Sequence, residues 1–333
     1  MDLKKYINID DKAIKSKKIV FCESFDLRVL EAASRLARDE ACKVCIVSEN
    51  ALKTESIAES VGIDLSKVEV IGIELQALNH EKIEAFIAHR VLKGETKEEA
   101  LSHLQTPLYY ALMYLKNGFA DAFLCGAVYD SADVLRAALS VVGIAPGSKL
   151  ISSYFLMIPP PNHTAITEPV LFADCAVNPV PMALGLADIA VQTIKNFKKL
   201  FPARIVNAAF LSFSTLGSSQ HSSLSKVIDA TAMIKEHFQD DKIVNIEGEV
   251  QFDAAIMPVV ARRKAPDSKV CGHANVLIFP DLNSGNIGYK IAERLGGFNA
   301  VGPIIQGLAL PVSDLSRGAD AEDIYNTALL MLV

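Results

Sequence analysis

Short apolar runs alternate with amphipathic stretches along the first half of the chain. After the apolar run at 18–22, apolar residues recur at helical spacing between Asp26 and Asp39. The alternation continues with predicted strands at 44–47, 68–73 and 120–127 and predicted helices at 56–61, 81–91 and 132–142. Thr96 and Glu99 have the spacing of a capping box at the start of a further helix. Alternation of this kind predicts right-handed crossovers and a mostly parallel sheet.

The second half of the pattern begins after a Gly- and Pro-rich segment at 142–148, which is the clearest candidate domain boundary. A long strand run at 149–158 is followed by a hairpin partner at 168–175 and a long helix at 183–200. Strand and helix patterns then alternate at 205–213, 222–237, 243–250, 254–263 and 276–279. We therefore expect two α/β domains with mostly parallel sheets flanked by helices.

Three polar turns stand between a strand-like run and a helix-like run, at 214–219, 280–286 and 313–318. This layout can point backbone N–H groups at a phosphate, and it is equally the layout of an ordinary N-capping loop. Two arginines, Arg294 and Arg317, lie in or near the last two turns. Asp320 and Asp323 form an Asp-x-x-Asp box at the start of the terminal helix, where Asp323 can serve as a cap, as a general base, or as both.

Length and composition narrow the class of protein. A chain of 333 residues that is 50% apolar can form about two domains with sizeable cores. The net charge of −6 argues against non-specific binding to nucleic acid or to an anionic membrane. Neither a signal-peptide pattern nor an apolar run of roughly 18–20 residues is present, so we expect a cytoplasmic protein without a membrane span.

The sequence lacks the motifs that are typical of zinc sites and of common nucleotide-binding enzymes. The six cysteines indicate reduced thiols. Cys42 and Cys45 form a C-x-x-C pair, but no second pair stands at zinc spacing, and this pair lies in a strand-like run as a structural feature. The histidines show no metal-ligand spacing, and neither a Walker P-loop nor a G-x-G-x-x-G motif occurs. These absences argue against a zinc site, a kinase and a common NAD enzyme.

Ordered blocks of sequence closely resemble phosphate acetyltransferases, of the phosphate acetyl/butyryltransferase family. They stand at 90–94, 126–127, 133–136, 172–174, 211–215, 247–255, 264–266, 279–286, 302–309 and 315–323, whereas the first eighty or so residues carry little resemblance. The resemblance implies reversible transfer of an acetyl group between acetyl phosphate and coenzyme A. It also implies a homodimer and an active site in the cleft between two domains. The first domain would be 1–147 plus 302–333, with 148–301 inserted as the second.

The resemblance also assigns the site residues. It implies Asp323 as the base that acts on the thiol, Ser316 as a hydrogen-bond donor to the attacked carbonyl, and Arg317 as the clamp on the leaving phosphate. Three further arginines, Arg90, Arg136 and Arg294, are implied as substrate-binding residues. Acetyl phosphate is already activated, so we expect no metal and no cofactor beyond coenzyme A as a substrate.

The chain departs from the family at three positions, and other functions are possible alternatives. This chain has Leu216 and Leu310 where the family often has lysine, and Ser313 where it often has asparagine. Phosphate butyryltransferase activity and a non-catalytic coenzyme A-binding homologue are the alternatives. A metal-dependent hydroxyacid dehydrogenase of similar architecture would need clustered aspartates and a nicotinamide site, and the sequence shows neither. The intact Ser316, Arg317 and Asp323 favour an active acetyl enzyme.

Overall fold

The computed structural model describes residues 3–333 of the chain, and they divide into two compact units. Unit 1 comprises Ile9–Pro146 and Leu308–Val333. Unit 2 comprises residues 3–8 and Gly147–Gly307. The chain thus leaves unit 1 after Pro146 and returns to it at Leu308.

Unit 1 is built on a five-stranded sheet in which every pairing is parallel, in the order β11-β4-β1-β2-β3. Elements are numbered along the whole chain. The strands are β1 (Lys18–Phe21), β2 (Lys43–Val47), β3 (Glu69–Ile71), β4 (Ala122–Cys125) and β11 (Val312–Asp314). The helices are α1 (Asp11–Ser16), α2 (Leu27–Arg38), α3 (Ala51–Ser60), α4 (His80–Val91), α5 (Lys97–Leu104), α6 (Pro107–Lys116), α7 (Ser131–Val141) and α13 (Ala321–Leu332).

Local signals in the sequence account for several helix ends of unit 1. The helix that the apolar spacing predicted between Asp26 and Asp39 is α2, and Asp26 caps it by accepting a hydrogen bond from the N–H of Arg28. The predicted capping box of Thr96 and Glu99 at the start of α5 is confirmed. Helix α6 was not predicted, because it is apolar all round and carries no helical periodicity; nine of its residues, 107–115, are buried.

Unit 2 is built on a six-stranded mixed sheet in the order β10-β5-β6-β9-β7-β8. The strands are β5 (Ser152–Ile158), β6 (Val170–Ala173), β7 (Val206–Leu211), β8 (Val244–Val250), β9 (Val276–Ile278) and β10 (Asn299–Gln306). The helices are α8 (Ala183–Leu200), α9 (Ser225–His237), α10 (Phe252–Ile256), α11 (Pro258–Lys264) and α12 (Leu282–Arg294). Short 3-10 helices occur at Leu3–Lys5 and Ser222–Leu224 in unit 2 and at Leu75–Ala77 in unit 1. Strands β5 and β6 pair antiparallel, which confirms the predicted hairpin partner.

The fold class is therefore confirmed as α/β, with mostly parallel sheets flanked by helices. Some bounds differ from the prediction. The predicted helix at 254–263 is two helices, because Pro258 lacks the N–H that a continuous helix needs and instead starts α11. The return to unit 1 comes at Leu308 and not at 302, because β10 pairs along β5 of unit 2 as far as Gln306.

The helices give no sign of a membrane span. Within residues 3–333, none of them combines the length and the apolar character that crossing a bilayer requires.

Candidate active site

The loops that follow β1, β4 and β11 form one polar edge of unit 1. These three strands are neighbours in a parallel sheet, so their carboxyl ends lie side by side. Ligands of open α/β sheets bind outside the carboxyl ends of the strands. The edge carries three of the six predicted residues: Ser316 and Arg317 in the loop after β11, and Asp323 in the first turn of α13.

Glu23, in the loop after β1, organises the loop after β4. Its carboxylate is buried and accepts hydrogen bonds from four consecutive backbone N–H groups, those of Gly126, Ala127, Val128 and Tyr129, at 2.7 to 3.1 Å. Four N–H groups in a row make a concave anion site. In this loop the anion is the side chain of Glu23 itself, which satisfies all four donors.

Gly126 and Asp314 meet where β4 and β11 end. Gly126 has φ +104°, and a Cβ at this position would lie 2.2 Å from Oδ1 of Asp314 and 2.6 Å from the backbone N of Leu315. Only glycine therefore permits this close approach. The Asp314 side chain is 6% exposed, and Oδ1 has no hydrogen-bond partner among the residues that the structure describes.

The environment of Asp314 disfavours its charged form. Burial raises the pKa of the Asp314 carboxyl to about 6, a hydrogen bond with Ser131 opposes the rise, and the nearby charge of Glu23 adds to it. A carboxyl that changes charge near neutral pH thus lies directly before the loop that carries Ser316.

Arg28, in the first turn of α2, connects the loops after β4 and β11. Its Nη1 donates hydrogen bonds to the carbonyl oxygens of Arg317 and Ala319, both at 2.8 Å. Its Nη2 donates to the carbonyl oxygen of Ala127 at 2.9 Å. Asp26 holds the guanidinium by accepting from Nε at 3.0 Å and from Nη2 at 2.7 Å. The hydrogen bonds that Arg28 donates to the Asp26 carboxylate raise the pKa of Arg28, so this cation stays charged.

Ser316 and Arg317 are exposed at the tip of the loop after β11. The Ser316 Oγ accepts a long hydrogen bond of 3.4 Å from the N–H of Gly318, which uses a lone pair and leaves the O–H able to donate. The Arg317 guanidinium forms an ion pair with the carboxylate of Asp130, the residue at the N-cap position of α7. A carboxylate therefore occupies the place at which Arg317 can bind another anion.

Asp323 takes part in a reciprocal cap with Asp320. The Asp323 N–H donates to the Asp320 carboxylate at 2.8 Å, and the Asp323 carboxylate accepts from the Asp320 N–H at 3.1 Å. The structural role predicted for Asp323 is confirmed. Its carboxylate is on the exposed side of the helix start, which keeps it accessible to solvent.

Arg90 lies in α4 and Arg136 in α7, and the charges of both act on the hydroxyl of Tyr109. Burial raises the pKa of Tyr109, and the charges of the two arginines oppose the rise. Arg90 is buried and binds the Glu95 carboxylate through Nε at 2.8 Å and through Nη2. Arg136 is exposed and binds Asp133 at 2.6 Å. Each arginine is thus paired with a carboxylate of unit 1.

Arg294 belongs to unit 2, where it ends α12 with its side chain 77% exposed and 3.4 Å from a carboxylate oxygen of Glu293. The predicted turn at 280–286 is not an open anion site. Most of it is the first part of α12, and the Asp281 carboxylate caps that helix by accepting from the N–H of Ser284 at 2.9 Å. Arg294 lies about 18 Å farther along the helix, so the turn does not place it directly.

The third polar turn, at 214–219 in unit 2, also contains its own anion. The buried carboxylate of Glu249 accepts hydrogen bonds from the Ser214 hydroxyl and the Gly217 N–H, both at 2.8 Å. Leu216 stands in the left-handed region with φ +47°. The capping interpretation of this turn fits the structure better than the phosphate interpretation, because an internal carboxylate already uses the donors.

The cysteines of the chain are buried thiols and do not form part of a metal site among the described residues. All six cysteines are free and buried. Burial raises the pKa of Cys42 and of Cys45 to about 12, which keeps both as unreactive thiols. Within residues 3–333, no three His, Cys, Asp or Glu side chains are grouped so that they could hold a metal ion.

Sequence reasoning missed the residues that support the loops. Glu23, Asp26 and Arg28 stand directly after the first predicted strand, and polar residues at that position of a parallel sheet are candidates for a site. That signal was present in the sequence. The contacts of Asp130 and Asp314 were not predictable, because they depend on which strands become neighbours.

Comparisons with known proteins agree with this architecture. Residues 4–332 match the model of the family described as Phosphate acetyl/butaryl transferase. A phosphate acetyltransferase from Clostridium acetobutylicum is 41% identical over 318 residues, which cover 95% of this chain and 94% of the relative. One from Bacillus subtilis is 41% identical over 317 residues, with the same coverage of 95% and 94%.

A solved structure shows the same relationship in three dimensions. The crystal structure of a phosphotransacetylase from Streptococcus pyogenes superposes with a TM-score of 0.85 at 41% identity, over 97% of this chain and 95% of that one. Family model, sequence identity and fold point to one group of proteins. The chain belongs to the phosphate acetyl/butaryl transferase family.

Proposed function

We propose that this protein is a phosphate acetyltransferase, which transfers an acetyl group reversibly between acetyl phosphate and coenzyme A in a ternary complex. The observation that carries the proposal is the loop after β11 and the start of α13. Within eight residues they present a hydroxyl donor, a guanidinium and a carboxylate, those of Ser316, Arg317 and Asp323, at the carboxyl edge of a parallel sheet. Membership of the family supports the same activity.

The reaction begins with the thiol of coenzyme A. Only the thiolate attacks well, and an ordinary thiol has a pKa near roughly 8.5. Asp323 accepts the proton while sulfur attacks the carbonyl carbon of acetyl phosphate. An ordinary aspartate has a pKa near about 3.9 and is a weak base, so proton transfer is concerted with attack. The cap with Asp320 orients the carboxylate for this task.

The attacked carbonyl oxygen gains negative charge in the transition state. Ser316 donates a hydrogen bond there, a type of contact worth about 3 kcal/mol in known enzymes. The carbon–oxygen bond to phosphate then breaks, and the electron pair leaves with the phosphate. Arg317 binds this leaving group through paired N–H donors, which lysine does not reproduce. No step requires a metal or another cofactor, because acetyl phosphate is already activated.

Arg90, Arg136 and Arg294 bind the phosphates of coenzyme A or assist the clamp. All three are paired with carboxylates, those of Glu95, Asp133 and Glu293. For Arg136 and Arg294 the pairs are exposed, and exposed ion pairs are weak, so a phosphate group can replace the carboxylate at small cost.

The deciding experiment follows the release of free thiol from acetyl-CoA on addition of phosphate, with a thiol reagent. We expect phosphate-dependent release, and a protein that binds coenzyme A but releases no thiol would refute the proposal. Comparing acetyl phosphate with butyryl phosphate in the reverse direction tests the acyl group. Faster turnover of butyryl phosphate would reassign the enzyme as a phosphate butyryltransferase.

The protein is further proposed to be a cytoplasmic homodimer. Six free cysteines fit a reducing compartment. Ile287 and Ile291 of helix α12 and its C-cap residue Leu295 are exposed at 57%, 53% and 85%, and their spacing of four residues places them on one face. An exposed apolar stripe of this kind suits a second copy of the chain. Light scattering after gel filtration should report a dimer that Ile291→Glu dissociates and that the control Leu92→Glu, at another exposed leucine, leaves intact.

A further inference from the structure

The guanidinium of Arg28 is completely used. Its five N–H groups make five hydrogen bonds: two to Asp26, and one each to the carbonyl oxygens of Ala127, Arg317 and Ala319. An arginine side chain has five donors in a fixed planar fork, so none remains for a substrate. Arg28 therefore acts on the structure of the loops and not on a bound molecule.

The carbonyl groups that Arg28 binds belong to the segment that carries Ser316 and Arg317. The first N–H of the loop after β11, that of Leu315, donates to Cys125 of β4 at 2.7 Å, and the loop ends at the cap of α13. Between Leu315 and the cap of α13, Arg28 makes the described hydrogen bonds that reach the loop backbone from another part of the chain, at the carbonyl oxygens of Arg317 and Ala319. The same guanidinium binds Ala127, in the loop that Glu23 shapes.

We propose that Arg28 is a positioning residue for acyl transfer, which holds the backbone of Arg317 and Ala319 so that Ser316 and Arg317 face the reacting group. The inference rests on the proposed function, because it takes the roles of Ser316 and Arg317 from there. Asp26 fixes the orientation of the guanidinium, and hydrogen bonds from Arg28 hold the pKa of Asp26 below its usual range although burial alone would raise it.

Replacement by lysine tests the geometry of the fork. Lysine keeps the charge, but its compact ammonium cannot reach two carbonyl groups of one loop, one of another and a carboxylate together. We expect Arg28→Lys to lower kcat about ten- to hundredfold, since misplacing reacting groups by about 1 Å has effects of this size. Affinity for coenzyme A, measured by calorimetry, should change less than about twofold.

A double-mutant cycle distinguishes positioning from a general loss of structure. If Arg28 acts through the loop, Arg28→Lys should add little to the loss caused by Ser316→Ala, because residues that act as a unit are strongly non-additive. If the two rate losses multiply in the double variant, the inference is wrong. Added guanidinium ions should raise the rate of Arg28→Ala severalfold, and unchanged rates at saturating guanidinium would count against it.

Hydrogen exchange gives a readout that does not depend on turnover. Amides of residues 315–320 should exchange faster in Arg28→Lys than in the wild type. The matched control is Arg38→Lys, on the same helix, where Arg38 is exposed and pairs with its neighbour Asp39. Unchanged exchange in Arg28→Lys would overturn the inference even if the protein transfers acetyl groups. A wild-type protein without transfer would refute the proposed function and leave the exchange result valid.

Discussion

Asp314→Asn is the substitution whose effect the structure specifies in most detail. The carboxyl is 6% exposed, and Oδ1 points at Gly126 without a hydrogen-bond partner among residues 3–333. Asparagine has the same shape and no charge, and either end of its amide can form a hydrogen bond with the Ser131 hydroxyl. The substitution therefore removes the titration of Asp314 and little else.

The size of the effect follows from the shift of the pKa. Burial, opposed by Ser131 and assisted by the charge of Glu23, raises the pKa of Asp314 from 3.8 to about 6. A group that binds its proton more tightly in the folded protein stabilises the fold below its unfolded pKa, and this contribution is lost as the pH rises through its folded pKa. Two pKa units correspond to about 3 kcal/mol, lost between about pH 4 and pH 6.

Urea denaturation at intervals from pH 4 to pH 8, followed by circular dichroism, measures this contribution. The difference in unfolding free energy between Asp314→Asn and the wild type should move in favour of the variant by about 2 to 3 kcal/mol as the pH rises. Asp229→Asn, at an exposed aspartate of α9, serves as the control and should show no such change.

The charged and titratable groups that face Asp314 define what would refute this reasoning. They are Glu23 and Cys125, with Cys22 hydrogen-bonded to Cys125, and burial keeps the pKa of both thiols raised. The thiols are therefore neutral across the measured range. A difference between variant and wild type that stays constant within about 0.5 kcal/mol from pH 4 to pH 8 would show that Asp314 does not titrate there.

Three further predictions address the loops and the chemistry. Arg317→Lys should lose most of the turnover while its melting temperature stays unchanged. Asp323→Asn should lose turnover with little change in the affinity for coenzyme A. Near-normal rates in both variants would show that these residues have no part in the mechanism. Glu23→Gln should lower the unfolding free energy by about 2 kcal/mol in urea, because an amide group would face a backbone donor, whereas the exposed control Glu31→Gln should be neutral. Gly126→Ala should lower the unfolding free energy by more than about 3 kcal/mol, because alanine is strained at positive φ and its Cβ would contact Asp314. Gly118→Ala, at φ +83° with open space around the Cβ, should lower it by about 1 kcal/mol, and equal losses in the two variants would show that the contact with Asp314 is unimportant.

Much of the fold was predictable from the sequence, because its local signals agree with the final structure. The apolar spacing between Asp26 and Asp39 matches α2, and the capping box of Thr96 and Glu99 is present at α5. Two elements, α6 and β11, were not predictable, for different reasons. Helix α6 is buried on all sides and has no polar face to reveal its period, and β11 is too short, at three residues, to show one.

The candidate site divides in the same way. The identities of Ser316, Arg317 and Asp323, and the cap at Asp320, came from the sequence through the resemblance and the spacing of the box. Their partners did not. That Arg317 pairs with Asp130, and that Arg28 reaches Arg317 across 289 positions of sequence, follows from the order of strands in the sheet.

The sequence alone therefore determined which residues are polar at the ends of apolar runs, and with that the family and the α/β class. Only the tertiary structure decided which of the polar turns are filled by the protein's own carboxylates. Glu249 and Asp281 already accept backbone N–H groups of two of the three polar turns, and Glu23 does the same in the loop after β4. The reason is physical: a turn sequence specifies a row of donors, but an acceptor that is remote in sequence, such as Glu23 or Glu249, reaches them only through the tertiary fold, whereas Asp281 caps its own turn locally.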